Sequence, residues 1–301
     1  MPRPFRIAAG AAIVLTFSVS LYGEGPPTPI TDERAFLEEV RRNIKSDETL
    51  LEQYTFTEKY TERKLSSKGV VKETRSETYE VYPSLEPGKM YRRLVSRDGV
   101  ALSEKELAEQ DRKQEAKTEK RERLRAEEET DPEARARRVA KDDERAQRER
   151  AVIDEVFRMD DIKITGRELV NGRDTVIVTF SPRPGYKPVT KGGKVIQKLQ
   201  GTAWIDFEDR QLVRLETRLV ETLGVGPAKV ARLQPGSNGY FQRRKVNNEI
   251  WLPASARFEG AARLLLVFGG RVEITSEYGD YKKFSVATEE EVAPAPENPG
   301  N

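Results

Sequence analysis

A mostly β, α+β fold is what this sequence predicts: one curved antiparallel sheet of about ten or eleven strands, an incomplete barrel, with an N-terminal helix and a long charged helical insertion. Three observations carry the expectation. Short apolar or alternating segments, separated by Gly-, Asn- and Asp-containing turns, fill most of the chain, and no βαβ alternation signals a parallel sheet. One stretch near the N-terminus has helical apolar spacing. Residues 103–150 hold 15 basic and 16 acidic side chains and almost no large apolar ones.

In chain order, Arg3 and Arg6 precede the apolar run Ile7–Leu21, the pattern of a secretory signal peptide over residues 1–23. The protein is therefore expected in the periplasm. Pro26, Pro27 and Pro29 make an extended linker. A helix should start at Thr31 or Asp32, both good N-caps, and Phe36, Leu37, Val40 and Ile44 form its apolar face. Tyr54, Phe56 and Tyr60 then alternate with polar residues as a strand. Val70–Tyr82 returns, polar on both faces through Glu73, Arg75 and Glu77, which suggests a strand near a sheet edge. Lys89–Val95 is a third strand, closed by the Asp98-Gly99 turn.

Ser103 with Glu106 reads as a capping box opening the charged block. Thr130 or Asp131 caps a second helix with Pro132 in its first turn, and this helix gains an apolar face only late, at Val152, Ile153, Val156 and Phe157. Strands follow: Ile162–Val170 and Arg173–Phe180 around Asn171-Gly172, the strongest short hairpin signal in the chain. The loop Ser181–Val195 is rich in Pro, Gly and Lys. Further strand pairs flank turns at Glu208–Arg210, Asn247-Asn248 and Gly269-Gly270, and a Glu- and Pro-rich tail ends the chain. The expected layout is a signal peptide (1–23), a helix with the first strands (24–102), the insertion (103–150), the remaining strands (151–285) and a tail (286–301). Without signal peptide, insertion and tail, about 215 residues are left, one domain's worth.

Composition narrows the function. The chain has no histidine and no cysteine, which removes the usual general base, the usual zinc and haem ligands and the thiol nucleophile. Lys and Arg number 53 against 51 Asp and Glu, so the basic excess of a nucleic-acid binder is missing. No G-x-S-x-G, P-loop or EF-hand pattern occurs. Asp160-Asp161 and Asp142-Asp143 are paired carboxylates, read as a helix end and as part of the charged block. A binding protein without cofactor or metal is expected, not an enzyme.

Val176–Val178, Trp204-Ile205 with Phe207, and Leu264–Phe268 are apolar on both faces, so these strands are covered twice or line an apolar cavity. The candidate lining comprises Tyr54, Phe56, Tyr60, Tyr79, Tyr91, Trp204, Trp251, Phe258 and Tyr278. The exported helix-then-meander layout, the hairpin Gly201–Leu219 and the segment Asn247–Gly260 resemble the LolA/LolB-like periplasmic proteins, which include outer-membrane lipoprotein-sorting proteins. The resemblance spans roughly residues 30–285, and the charged block departs from it as an insertion. It implies an incomplete β-barrel with helices on its open side and an interior that holds acyl chains of a lipid or lipoprotein. The face Phe36, Leu37, Val40 and Ile44 would then be a lid or plug. The basic loop with Arg183, Lys187, Lys191 and Lys194 would meet anionic headgroups at a membrane surface, or a partner. The alternative is an envelope protein-interaction or sensor module on the same fold, with the charged insertion gripping a protein partner.

Overall fold

The computed structural model describes residues 30–44, 50–66, 68–85, 89–225, 231–264 and 268–283. The expected signal peptide, proline linker and tail lie outside these residues.

Helix starts follow the local chemistry. Asp32 caps α1 (Glu33–Asn43), its carboxylate accepting from the Ala35 N–H at 2.8 Å. Ser103 and Glu106 form the reciprocal capping box of α2 (Glu104–Thr130). Asp131 caps α3 (Pro132–Met159), with Pro132 where its missing N–H costs nothing. The expected loop after residue 181 contains one short turn of helix, α4 (Gly193–Ile196).

Thirteen strands are described: β1 (Tyr54–Leu65), β2 (Val71–Pro83), β3 (Met90–Arg97), β4 (Val100–Ala101), β5 (Asp160–Val170), β6 (Arg173–Pro182), β7 (Leu199–Asp206), β8 (Leu212–Leu219), β9 (Leu223–Val225), β10 (Ala231–Leu233), β11 (Asn238–Val246), β12 (Ile250–Leu264) and β13 (Phe268–Lys283). They form one antiparallel sheet in the order β4-β3-β2-β1-β13-β12-β11-β8-β7-β6-β5, with β9 and β10 attached beside β12. The sheet is not closed: β4 with β3 forms one edge and β5 the other. The Asn171-Gly172 hairpin forms as expected, with positive φ at both residues (52° and 76°).

The expectation of a half-solvated β2 near a sheet edge holds for its first half: β3 pairs only with Glu77–Pro83, and Val71–Arg75 are exposed with β1 as their paired strand. One expectation is corrected. Gly269-Gly270 is no turn: the two glycines pair with Arg263 and Ala262 inside the β12–β13 ladder. That ladder runs on because β1 extends to Leu65, which pairs with Arg271 and holds β13 extended. Residues 265–267, inside the expected apolar strand, lie outside the described residues.

Glycines replace side chains where β7, β8 and β11 approach closely. Gly201 and Gly239 both pair with Thr217, from either side. A Cβ on Gly201 would lie 1.9 Å from the Glu216 carbonyl oxygen, and one on Gly239 2.6 Å from the Thr217 hydroxyl. Glycine leaves room there for the Glu216 carbonyl and the Thr217 side chain, and glycines at such positions are a device by which sheets curve.

The insertion joins the two sheet edges, since α2 leaves from β4 and α3 runs directly into β5. α1 is wedged beside the end of α3. Phe36 stacks on Phe207 at 6.2 Å, and Arg41 pairs with Asp154 at 2.9 Å. Arg150 donates to the Arg41 carbonyl.

Candidate functional site

One row of directly paired residues crosses ten strands: Arg97, Glu77, Tyr60, Ser276, Ala256, Phe241, Leu215, Ala203, Val178, Ile164. Paired residues share a face, so the row defines the inner face. Its β5–β8 half is apolar and covered. Val176, Val178 and Ile205 are buried there, and Arg167, paired with Val176, lies 4.0 Å from the Phe207 ring on which α1 packs. Its β1–β3 half is polar and aromatic, and it carries the candidate site.

Two carboxylates are sunk into that half. Glu58 receives a hydrogen bond from Ser276 at 3.2 Å and an ion pair from Arg92 at 2.9 Å. Glu77 takes Arg75 at 2.5 Å and Arg97 at 3.8 Å on one oxygen, and the Tyr79 hydroxyl at 2.5 Å on the other. Burial alone would push the Glu77 carboxyl up, but the bonds from Tyr79 and Arg75 outweigh it and hold it below the usual carboxylate range. Burial and the bond to Glu77 together push the Tyr79 phenol up to about 12, so it stays a donor. Arg92 lies over the Tyr79 ring at 4.0 Å. The carboxylates are nearly hidden (11% and 6% exposed side chains), whereas Arg75, Arg92 and Arg97 are about half exposed at 52%, 45% and 54%. Each guanidinium is thus oriented from below with donors left for a ligand.

The nine aromatic candidates do not line one cavity. Phe56, Tyr60, Tyr79, Phe258 and Tyr278 stand on the inner face of neighbouring strands, and Phe56 packs against Tyr278 and Tyr281. Tyr54, on the same strand, is buried edge-on to Tyr281. Tyr91 stacks on Tyr82, one residue out of phase with the inner face, and donates to Asp111 of α2. Trp204 pairs with Ile177, also out of phase, and joins Trp251, Val170 and Val213 in a separate cluster. Arg214 roofs the Trp204 ring at 4.8 Å. β6 and β7 are therefore covered on both sides, by α1 within and by this arginine-roofed cluster without; the apolar run Leu264–Phe268 falls largely outside the described residues. Trp251 donates to Asp209, which Lys245 and this indole hold below its ordinary pKa although burial opposes them.

Phe36 and Val40 of the lid or plug candidate are buried, and Leu37 and Ile44 are half-buried. Polar ties fix the helix in place: Arg210 to Glu39 at 2.7 Å and Gln211 to the Asn43 carbonyl at 2.8 Å. In the basic loop Arg183, Lys187, Lys191 and Lys194 are all exposed, and Arg183 also donates to the Asp160 carbonyl at 3.1 Å. The loop is pinned by Glu155, fully buried, which accepts from the Val189 and Thr190 N–H groups at 2.6 and 3.0 Å and from the Thr190 hydroxyl. Asp160 beside it is buried with neither carboxylate oxygen hydrogen-bonded, and burial pushes it up to about 6.

Sequence reasoning missed Glu58, Arg92 and Arg97 altogether and took Arg75 and Glu77 for edge residues. The available signal was the run of charges in β2 beside tyrosines, too polar for a strand with one packed face. A cleft of about 530 Å³ opens at Gly201 and Gly239, lined by Phe180, Thr217, Arg218, Tyr240, Arg257 and Glu259 among others. A second, of about 460 Å³, lies by Tyr54, Trp251 and Lys283. Among the described residues no group of three or more acidic side chains is placed to hold a metal, and no helix is long and apolar enough to cross a membrane.

The fold is an open, curved antiparallel sheet with α1 on its inner face. No protein-family model matches the sequence, and no curated protein matches it. Solved structures do. A DUF1329 family protein from Desulfovibrio piger is 12% identical, with 83% of this chain and 90% of that chain covered and a TM-score of 0.31. A putative outer membrane lipoprotein-sorting protein domain from Vibrio parahaemolyticus is 8% identical, with 85% and 93% covered and a TM-score of 0.30. A LolA superfamily protein from Nitrosomonas europaea is 10% identical, with 84% and 93% covered and a TM-score of 0.27. The last two are of the kind that the Gly201–Leu219 hairpin resembles. Scores near 0.3 decide nothing about activity, and the functional reading rests on the geometry of this chain.

Proposed function

We propose that this chain is an exported binding protein of the cell envelope that holds a segment of another protein on the open β1–β3 half of its inner face. The observation that carries the reading is the pair of sunken carboxylates, Glu58 and Glu77, each presenting half-exposed arginines beside Tyr60 and Tyr79. Tyrosine and arginine in this arrangement are the residues that dominate protein–protein contacts, offering ring area and directed donors together. A hydrocarbon chain laid there would face fixed charges, whereas a peptide can meet them with its own carbonyls and carboxylates. The acyl-carrier alternative places the chain in the apolar half instead. There Phe36 and Val40 already fill the space, so α1 would have to leave and break its ties to Arg210, Gln211 and Asp154.

A photo-cross-linking residue at position 60, in cells, tests the reading. A single identified protein should be captured, and capture should fall at least severalfold when Arg92→Ala is added. Phospholipid or lipoprotein acyl chains co-purifying stoichiometrically, with no protein cross-link, would replace this reading with the carrier one.

A further inference from the structure

A side chain occupies the place of a β-strand on the edge of β3. β4 covers Ser96 and Arg97, and the Leu102 N–H donates to the Val95 carbonyl at 2.9 Å, leaving the outer side of Met90–Leu94 to α2. There the Gln110 amide receives the Leu94 N–H at 3.0 Å and donates to the Leu94 carbonyl at 3.0 Å, the same two bonds a paired strand residue makes. The next residue, Asp111, takes Arg93 bidentately at 2.8 and 2.9 Å and the Tyr91 hydroxyl at 3.3 Å. Against the sheet α2 offers little else: it buries no residue and has no apolar stripe, and elsewhere it packs along α3, where Arg138 pairs with Glu128 at 3.8 Å. A 27-residue helix is thus docked on the sheet through one turn of polar contacts, each of the kind that contributes only about 1–3 kcal/mol net. β3 itself carries three arginines, Arg92, Arg93 and Arg97, and no acidic residue.

We propose that the outer edge of β3 is a strand-addition site covered at rest by α2, and that it takes an extended segment of a partner protein with an aspartate or glutamate next to the residue that pairs with Leu94. The guard defines the guest: Gln110 stands in for its peptide group and Asp111 for its acidic side chain. An added strand gains main-chain bonds along Met90–Leu94, and the acid gains the fork of Arg93. Two copies of β3 paired edge to edge would set arginines against arginines, so a second copy of this chain is the wrong guest. The proposal rests on the reading of this chain as a protein-segment binder, whose open inner face adjoins the same strand.

The test uses the full chain and two labelled, end-capped hexapeptides, Thr-Val-Asp-Val-Thr-Val and its counterpart with Lys for Asp, read by fluorescence anisotropy. Gln110→Ala with Asp111→Asn removes the guard and should tighten binding of the Asp peptide by about tenfold or more, as expected when a masked site becomes populated. Arg93→Ala should erase the preference for Asp over Lys. Gln110→Glu, which sets a carboxylate against the Leu94 carbonyl with the helix sequence otherwise kept, should act in the same direction if the double variant folds poorly. Equal affinities in wild type and guard variants overturn the proposal, as does a guard variant that dimerises instead of binding peptide. A surviving cross-link from position 60 beside peptides that ignore the edge would sink this inference alone. Edge binding without any cross-link would sink the reading of the inner face alone.

Discussion

The row from Arg97 to Ile164 is one face of one sheet, yet its halves are built on opposite principles. From Ala256 to Ile164 it is apolar, and α1 closes over the β5–β8 part with Phe36 and Val40. From Arg97 to Ser276 it is charged and aromatic, with Glu58 and Glu77 buried beneath half-exposed arginines. The apolar half gains free energy from removing surface from water. The polar half is ordered by hydrogen bonds and ion pairs within β2 and between β1, β2, β3 and β13, and it leaves donors unspent. Stability should therefore concentrate in one half and binding in the other.

Substitutions in the two halves should separate these roles. Phe36→Ala empties the space under α1 and should cost about 3–4 kcal/mol in urea unfolding; a loss under 1 kcal/mol would mean α1 is loosely seated and closer to a movable lid. Glu155→Ala removes the acceptor of the Val189 and Thr190 N–H groups and of the Thr190 hydroxyl, and about 1–3 kcal/mol should be lost, with faster amide exchange confined to the loop after β6. Asp160 sharpens the contrast through pH. Its folded pKa, about 6, stands above the value of about 3.9 for a free aspartate. The raised value means that its contribution to stability is complete below about pH 4 and is lost as pH rises through 6. Asp160→Asn should flatten that difference and leave the variant about 1–2 kcal/mol more stable than wild type at pH 7; parallel pH profiles would contradict it. Tyr60→Ala, in the polar half, should change stability by less than about 1 kcal/mol while reducing partner capture. A large unfolding effect there would make the residue structural.

How far the sequence could be read follows from how far apart the interacting residues lie along the chain. The caps at Asp32, Ser103 and Asp131 and the Asn171-Gly172 hairpin were legible because each is settled within a few residues. The aromatic set was only half placed: Tyr60 and Tyr79 reached the inner face, whereas Trp204 and Tyr91 turned away because alternation fixes which residues share a face but not which face is inside. The bond between Ser276 and Glu58 spans 218 residues and depends on β1 pairing with β13. No local pattern announces it.

Composition and short-range spacing by themselves determined a strand-rich chain, its helix boundaries, its charged insertion and the absence of histidine and cysteine chemistry, since these depend on residue identity and on torsional preferences of neighbours. Strand order, the close approach at Gly201 and Gly239, the burial of Glu58 and Glu77 and the docking of Gln110 on Leu94 were decided only by the tertiary structure. Each of these requires segments far apart in sequence to meet, and a hydrogen-bond partner across a sheet is chosen by register.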